Sequence, residues 1–258
     1  RLSMARARAL STVGRVAEAE VLADILLADA VGDEAAVLHR DRAMAYFHQG
    51  RAGDTVTAMN AAAECAADPR LHARFTAESA MSRLIAADFA NAREIATKGS
   101  KLGEAIGDPV TVLAAEMVGC LCAFYDYDID EATRLAERLE TLGDLYESAE
   151  AALYQPWFAA SLVRLELGQY EHCRRLNAVG LSRAVSSGHL WMAPAYDALD
   201  AYAAWEAGDF DDVVAHDSAA LAWRLDDTFG AAIWCHAFIG RVAVARGQLD
   251  LAEQSAAA

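Results

Sequence analysis

Apolar residues recur along this chain at helical spacing, and their runs are interrupted at a near-constant interval by one six-residue phrase. The phrase holds a turn-forming residue, a polar residue, an apolar residue, two variable positions and a small residue. Its clearest copies are Gly168-Gln169-Tyr170-Glu171-His172-Cys173, Gly208-Asp209-Phe210-Asp211-Asp212-Val213 and Gly247-Gln248-Leu249-Asp250-Leu251-Ala252. Looser copies begin at Gly14, Gly50, Ala87 and Tyr127, so that successive starts lie 36, 37, 40, 41, 40 and 39 residues apart. A regular interval of this size predicts stacked helical hairpins, one per repeat.

Each position of the phrase has a physical reading. Its first residue marks where the first helix of a hairpin must end, and Gly adopts the left-handed terminating conformation at low cost. The third is apolar (Val16, Phe89, Ile129, Tyr170, Phe210 and Leu249, with Ala52 the weak member) and is expected to anchor the turn to the core; one such buried side chain contributes roughly 1.5–3 kcal/mol. The sixth is small or slender: Ala19, Thr55, Ala92, Ala132, Cys173, Val213, Ala252. A second small column lies seven residues before the phrase, at Ala7, Ala43, Ala80, Cys120, Ser161, Ala201 and Gly240. Two small columns suit helices that cross closely.

Roughly halfway between phrases stand Gly32-Asp33, Asp68-Pro69, Gly107-Asp108-Pro109, Gly143-Asp144, Gly188 and Asp226-Asp227, where one hairpin is expected to hand over to the next. Asp68-Pro69 and Asp108-Pro109 are strong helix starts, because Asp caps free amides and Pro is tolerated at the first helical position. Pro156 and Pro194 fall later in their repeats and are expected to kink or delay the helix.

The 258 residues are 55% hydrophobic, with four prolines and no alternating strand pattern. The expected fold class is therefore all-α: a right-handed α-solenoid of about seven antiparallel helix hairpins, forming a single domain over residues 1–258. No run of about 18 apolar residues predicts a membrane span, and no basic segment followed by an apolar stretch predicts secretion. Five cysteines without paired spacing are expected to be reduced core residues of a cytoplasmic protein. A net charge of −16 leaves no basic stripe to displace counterions, so this segment is not expected to contact nucleic acid.

The phrase Gly-Asp-Phe-x-x-Val/Ala, with a small residue seven positions earlier, resembles the tetratricopeptide repeat. The interval is nearer 40 than 34, and no proline closes each unit. This longer version is similar to the helical-repeat region of the large ATP-binding LuxR-type transcription regulators, whose archetype controls maltose utilisation. The chain opens at Arg1 without an initiator Met and stops at Ala258 partway through the second helix of a hairpin, which suggests a piece of something longer. The resemblance implies an ATPase module before the repeats and a helix-turn-helix domain after them. Neither a G-x-x-x-x-G-K-[ST] loop nor a basic recognition helix occurs within these residues.

In tetratricopeptide arrays the first helix of each hairpin lines the concave side, which here maps to positions three, six, ten and thirteen residues before the turn residue. The larger residues there are Met44, Phe47, Met81, Leu84, Met117, Leu121, Phe124, Phe158, Leu162, Leu165, Tyr202, Trp205, Trp234 and Arg241, with Arg40 and Arg74 as further charges. An aromatic or Met stripe at helical spacing is usually core. The sharper expectation is a groove for a small-molecule effector or a peptide or protein partner. Its candidate residues are Phe124, Phe158, Tyr202, Trp205, Trp234 and Arg241, with Arg241 or Arg40 meeting an anionic group. The resulting expectation is a non-catalytic sensor segment of a LuxR-type regulator that forms possible homo-oligomers; the alternative is a generic protein-interaction scaffold.

Other chemistry is weaker. Asp126, Asp128, Asp130 and Glu137 imitate the ends of a calcium loop, but its sixth position is Glu131 where a Gly is needed. Asp212 and His216, one helical turn apart, read as a surface pair. No catalytic, metal or cofactor site is expected. A rival reading is an α/α-toroid glycoside hydrolase, for which Glu116 and Asp197 are the nearest candidate acids.

Overall fold

The computed structural model describes residue 6 and residues 16–145, 148–223 and 231–257, and it comprises two compact units, Arg1–Asp128 and Ile129–Ala258. Among the described residues the secondary structure is helical, with no strand. The first unit contains α1 (Val16–Leu27), α2 (Gly32–His48), α3 (Ala52–Cys65), α4 (Pro69–Ile85), α5 (Phe89–Ile106) and α6 (Pro109–Tyr125). The second contains α7 (Ile129–Leu145), α8 (Ala149–Leu153), α9 (Pro156–Glu166), α10 (Tyr170–Ser187), α11 (Ala193–Ala207), α12 (Phe210–Ala222), α13 (Ala231–Ala245) and α14 (Leu249–Ala257), with a 3₁₀ turn at Leu190–Met192. Within each unit a helix packs mainly on its sequence neighbours and on the next helix but one, the pattern of a hairpin repeat.

The recurring phrase is the hairpin turn. Gly50, Ala87, Tyr127, Gly168, Gly208 and Gly247 all have positive φ, between 57° and 78°, so two of the six turns place a non-glycine residue in left-handed backbone. The polar residue that follows donates its amide to the carbonyl five residues back in every copy, Arg51 to Tyr46 and Gln248 to Ala243 among them, at 2.8–3.0 Å. That bond satisfies an otherwise orphaned carbonyl at the end of the first helix. The second helix then begins at the third position of the phrase in all six described copies. The Gly14 copy and Ala7 lie outside the described residues.

Because the third position opens a helix at the tip of the hairpin, it is not core. Phe89, Ile129, Tyr170 and Phe210 are half-buried and Leu249 is 63% exposed, contrary to the anchoring role expected of them. The buried anchors are the two small columns. Ala43, Ala80, Cys120, Ser161 and Ala201 are fully inaccessible, and so are Ala92, Ala132, Cys173 and Val213. Their size sets how near the helices come: a Cβ added at Gly99 of α5 would stand 2.9 Å from the Ala77 Cα of α4.

Asp68 and Asp108 cap α4 and α6, accepting hydrogen bonds from the amides of Arg70 and Val110, with Pro69 and Pro109 at the first helical positions. Burial alone would raise the Asp108 carboxyl. The Thr111 hydroxyl, Arg74 guanidinium and Val110 amide outweigh it and hold the group below the usual carboxylate range. Gly143-Asp144 is not a hand-over point. It lies inside α7, where an added Cβ at Gly143 would meet the Trp157 ring at 3.1 Å, so Gly143 serves close packing rather than a turn. Pro156 opens α9 after the short α8, with Gln155 between them at φ 48°; Pro194 stands in the first turn of α11 behind the 3₁₀ turn. Both prolines delay a helix rather than kink one. Asp226-Asp227 lies outside the described residues.

Candidate functional site

Helix α11 presents Tyr202 and Trp205, one turn apart, toward α12 and α13. Their backs rest on a fully apolar floor of Ala201, Ala204, Val213, Phe238 and Val242, of which Phe238 is the only ring. Trp205 stacks on Phe210 at 5.3 Å between centroids and 28° between planes, and it lies 6.3 Å from Phe238. Tyr202 meets Phe238 at 5.1 Å. The Arg241 guanidinium extends over both rings, 5.9 Å from the Trp205 centroid and 5.4 Å from that of Phe238. Trp234, 38% exposed, stands one turn before Phe238 and two before Arg241 on the same face of α13.

The patch is therefore a set of half-open aromatic planes with one exposed cation at its edge. Burial raises the Tyr202 phenol, with Glu206 and Glu166 adding to the effect, so the hydroxyl stays a donor. Among the described residues no carboxylate pairs with Arg241. Other arginines of the same unit are paired: Arg246 is held by Asp211, Arg174 by Asp212 at 3.4 Å, and the buried Arg164 by Glu140 at 2.7 Å, with His172 on the other Glu140 oxygen.

Of the six residues singled out from sequence, Tyr202, Trp205, Trp234 and Arg241 share this face. Phe158 lies elsewhere in the second unit, edge-on to Tyr196 at 5.9 Å, and Phe124 belongs to the first unit, edge-on to Tyr125 at 5.4 Å. Arg40 cannot act as a ligand's cation, because Glu78 holds it at 2.9 Å and Asp41 lies 3.6 Å away. Arg74 is likewise held by Asp108 at 3.0 Å. Two residues of the patch escaped the sequence reading. Phe238 is one position off the expected stripe, although its spacing of four from Trp234 and three from Arg241 marks a shared helical face. Phe210 is expected from sequence as a core anchor of its turn, not as part of a binding face.

Asp126 is held by Arg93 at 2.8 Å, and among the described residues no cluster of three or more His, Cys, Asp or Glu is arranged for a metal ion. Asp212 pairs with Arg174, not His216. The cysteines form no disulfide; burial pushes the Cys122 thiol up to about 11 and Cys173 to about 12, so neither supplies a thiolate at neutral pH. Asp197 is buried and accepts a hydrogen bond from the Trp223 indole at 2.8 Å, while Glu116 is buried within α6 of the other unit.

No protein-family model matches the chain, and no curated protein matches it. Solved structures do. The apo form of RapI is similar with a TM-score of 0.69 at 12% identity, covering 98% of this chain and 93% of that one. A Rap protein complexed with competence and sporulation factor gives 0.66 at 11% identity, covering 98% and 73%. BtubC (BKLC) from P. vanneervenii gives 0.55 at 15%, covering 90% and 87%. Together with the repeated hairpins, these similarities establish the fold as an all-α helical repeat of the tetratricopeptide-like, solenoid kind.

Proposed function

We propose that this chain is a non-catalytic binding module whose Tyr202, Trp205, Phe238, Trp234 and Arg241 face takes a peptide or a peptide segment of a protein partner. The observation that carries the reading is the half-open aromatic stack of α11–α13 with a guanidinium over it that has no carboxylate partner among the described residues. Stacking planes, a hydroxyl donor and a fork of guanidinium donors are groups that hold and orient a ligand. The likeness to a Rap protein solved with competence and sporulation factor supports a partner-binding role. The reduced cysteines suit a cytoplasmic setting, and among the described residues no helix is long and apolar enough to cross a membrane.

The narrower placement, as the sensor segment of a LuxR-type regulator in a single array over residues 1–258, keeps the same face and adds that its occupant biases an attached module. The test is a library of amidated hexapeptides titrated against the protein while tryptophan emission is followed. Selected peptides should lose most of their affinity in Trp205→Ala, with helical circular dichroism unchanged. Affinities identical in the variant and the parent would remove this face from the function.

A further inference from the structure

We infer that Arg241 is the specificity anchor of this face, recognising an aspartate or glutamate side chain of the bound peptide while a neighbouring apolar side chain lies on Trp205. The inference rests on the reading of the face as a peptide site and names the chemistry of the peptide.

The chain carries 38 acidic side chains against 22 basic ones, so an exposed arginine has carboxylates in abundance to pair with. Arg164, Arg174 and Arg246 of the same unit do so. Arg241 is instead held over the rings of its own face, and among the described residues it has no carboxylate partner. A guanidinium lying 5.4–5.9 Å from two ring centroids makes no hydrogen bond to them through those contacts, and Arg241 is exposed, so its N–H donors remain open to a ligand. The planar fork of donors matches the two oxygens of a carboxylate bidentately, and a guanidinium resting against rings has less side-chain freedom left to lose on pairing. The rings beneath it add an apolar shelf beside the charge. An acidic residue next to an apolar one complements both.

The surroundings restrict where such an acid can sit. Glu206 and Glu166 act on Tyr202, as Arg241 does with the opposite sign, so a ligand carboxylate placed close to that ring meets their repulsion. The overall charge of −16 opposes acidic ligands everywhere else, so the charge pair fixes register as well as adding affinity. Capture of a peptide's terminal carboxylate commonly uses a nest of unbonded backbone amides. Arg241 lies in the interior of α13, whose amides are committed to the helix, and only the side-chain fork is on offer.

The experiment uses peptides selected by the wild-type protein, all with amidated C-termini. Each is compared with a copy in which its Asp or Glu is replaced by Asn or Gln, and with a copy of the neutral form bearing a free C-terminus. Dissociation constants are measured for wild type, Arg241→Gln and Trp205→Ala. The wild type should prefer the acidic form by about tenfold or more, as expected for a charged hydrogen-bonded pair. Arg241→Gln should erase that preference while leaving the neutral form's affinity in place, and Trp205→Ala should weaken both forms. Equal binding of acidic and neutral forms, or a preference restored by the free C-terminus alone, overturns the assignment to a side-chain carboxylate while the aromatic face stands. If no peptide binds in a Trp205-dependent way, the parent reading falls and the inference falls with it.

Discussion

Asp217 of α12 is inaccessible to solvent, and among the described residues its carboxylate oxygens meet no nitrogen or hydroxyl donor; the Cys235 thiol of α13 faces it. Burial in such surroundings penalises the charged form and pushes the group up to about 7. The folded state therefore keeps a proton that the unfolded chain releases near pH 4. Stability from this source is present below about pH 4 and is lost as pH rises toward 7, a change on the order of 4 kcal/mol. Burial also raises Asp197 and Asp200 on α11, with His216 lowering both, so they slope the same way. Asp217→Asn should be more stable than wild type at pH 8, and its advantage should shrink or reverse at pH 5 in urea titrations. A parallel pair of pH profiles would show that Asp217 does not stay protonated in the fold.

Single residues also show what was and was not legible in the sequence. The left-handed turn residues could be read because the chemistry of glycine announces them, and the conformations of Ala87 and Tyr127 followed from alignment with the glycines. Arg40 could not be judged, because its neutralising partner Glu78 lies 38 residues away on another helix. Gly180 is similar: its missing Cβ makes room for the Tyr196 ring of α11, which an added Cβ would approach to 2.3 Å. Tyr196 in turn donates its hydroxyl proton to Gln155, so three repeat-specific residues interlock where no periodic pattern marks them.

At the scale of the helix, the small columns decide the packing. Ala201 sits fully buried where α11 meets Val213 of α12 and Phe238 and Val242 of α13. Ala201→Leu should overpack this crossing and cost about 1–3 kcal/mol, read as a lower urea midpoint; an unchanged midpoint would mean that α11 is not packed as described. Helix starts were legible wherever Asp-Pro supplied both a cap and a fixed φ. Gly143 misled because glycine in a sequence looks alike whether it ends a helix or admits a neighbouring indole. The third position of the phrase misled for a related reason: hydrophobicity reports a preference for burial, whereas the tip of a hairpin offers only half of it. Phe210 covers its remaining exposure by stacking on Trp205, and Phe89 by packing on Tyr125 at 5.6 Å, so two of these turn residues belong to aromatic surfaces.

For the molecule as a whole, the interval of the phrase was enough to reach an all-α helical repeat, because the repeat is local and needs no long-range pairing to be seen. The binding face was half legible. Periodicity places Tyr202, Trp205, Trp234 and Arg241 on first helices, but it also marks Phe124 and Phe158, whose rings pack on Tyr125 and Tyr196. What distinguishes the two sets is the arginine over the rings, a feature of two packed helices rather than of one. The claim on which the functional account depends is that α11 and α13 together form the surface a partner occupies. Amide hydrogen exchange with and without a library-selected peptide tests it most directly. The account predicts slowed exchange concentrated in residues 198–207 and 234–245, absent in Trp205→Ala. Protection that falls elsewhere, with those segments unchanged, would contradict it.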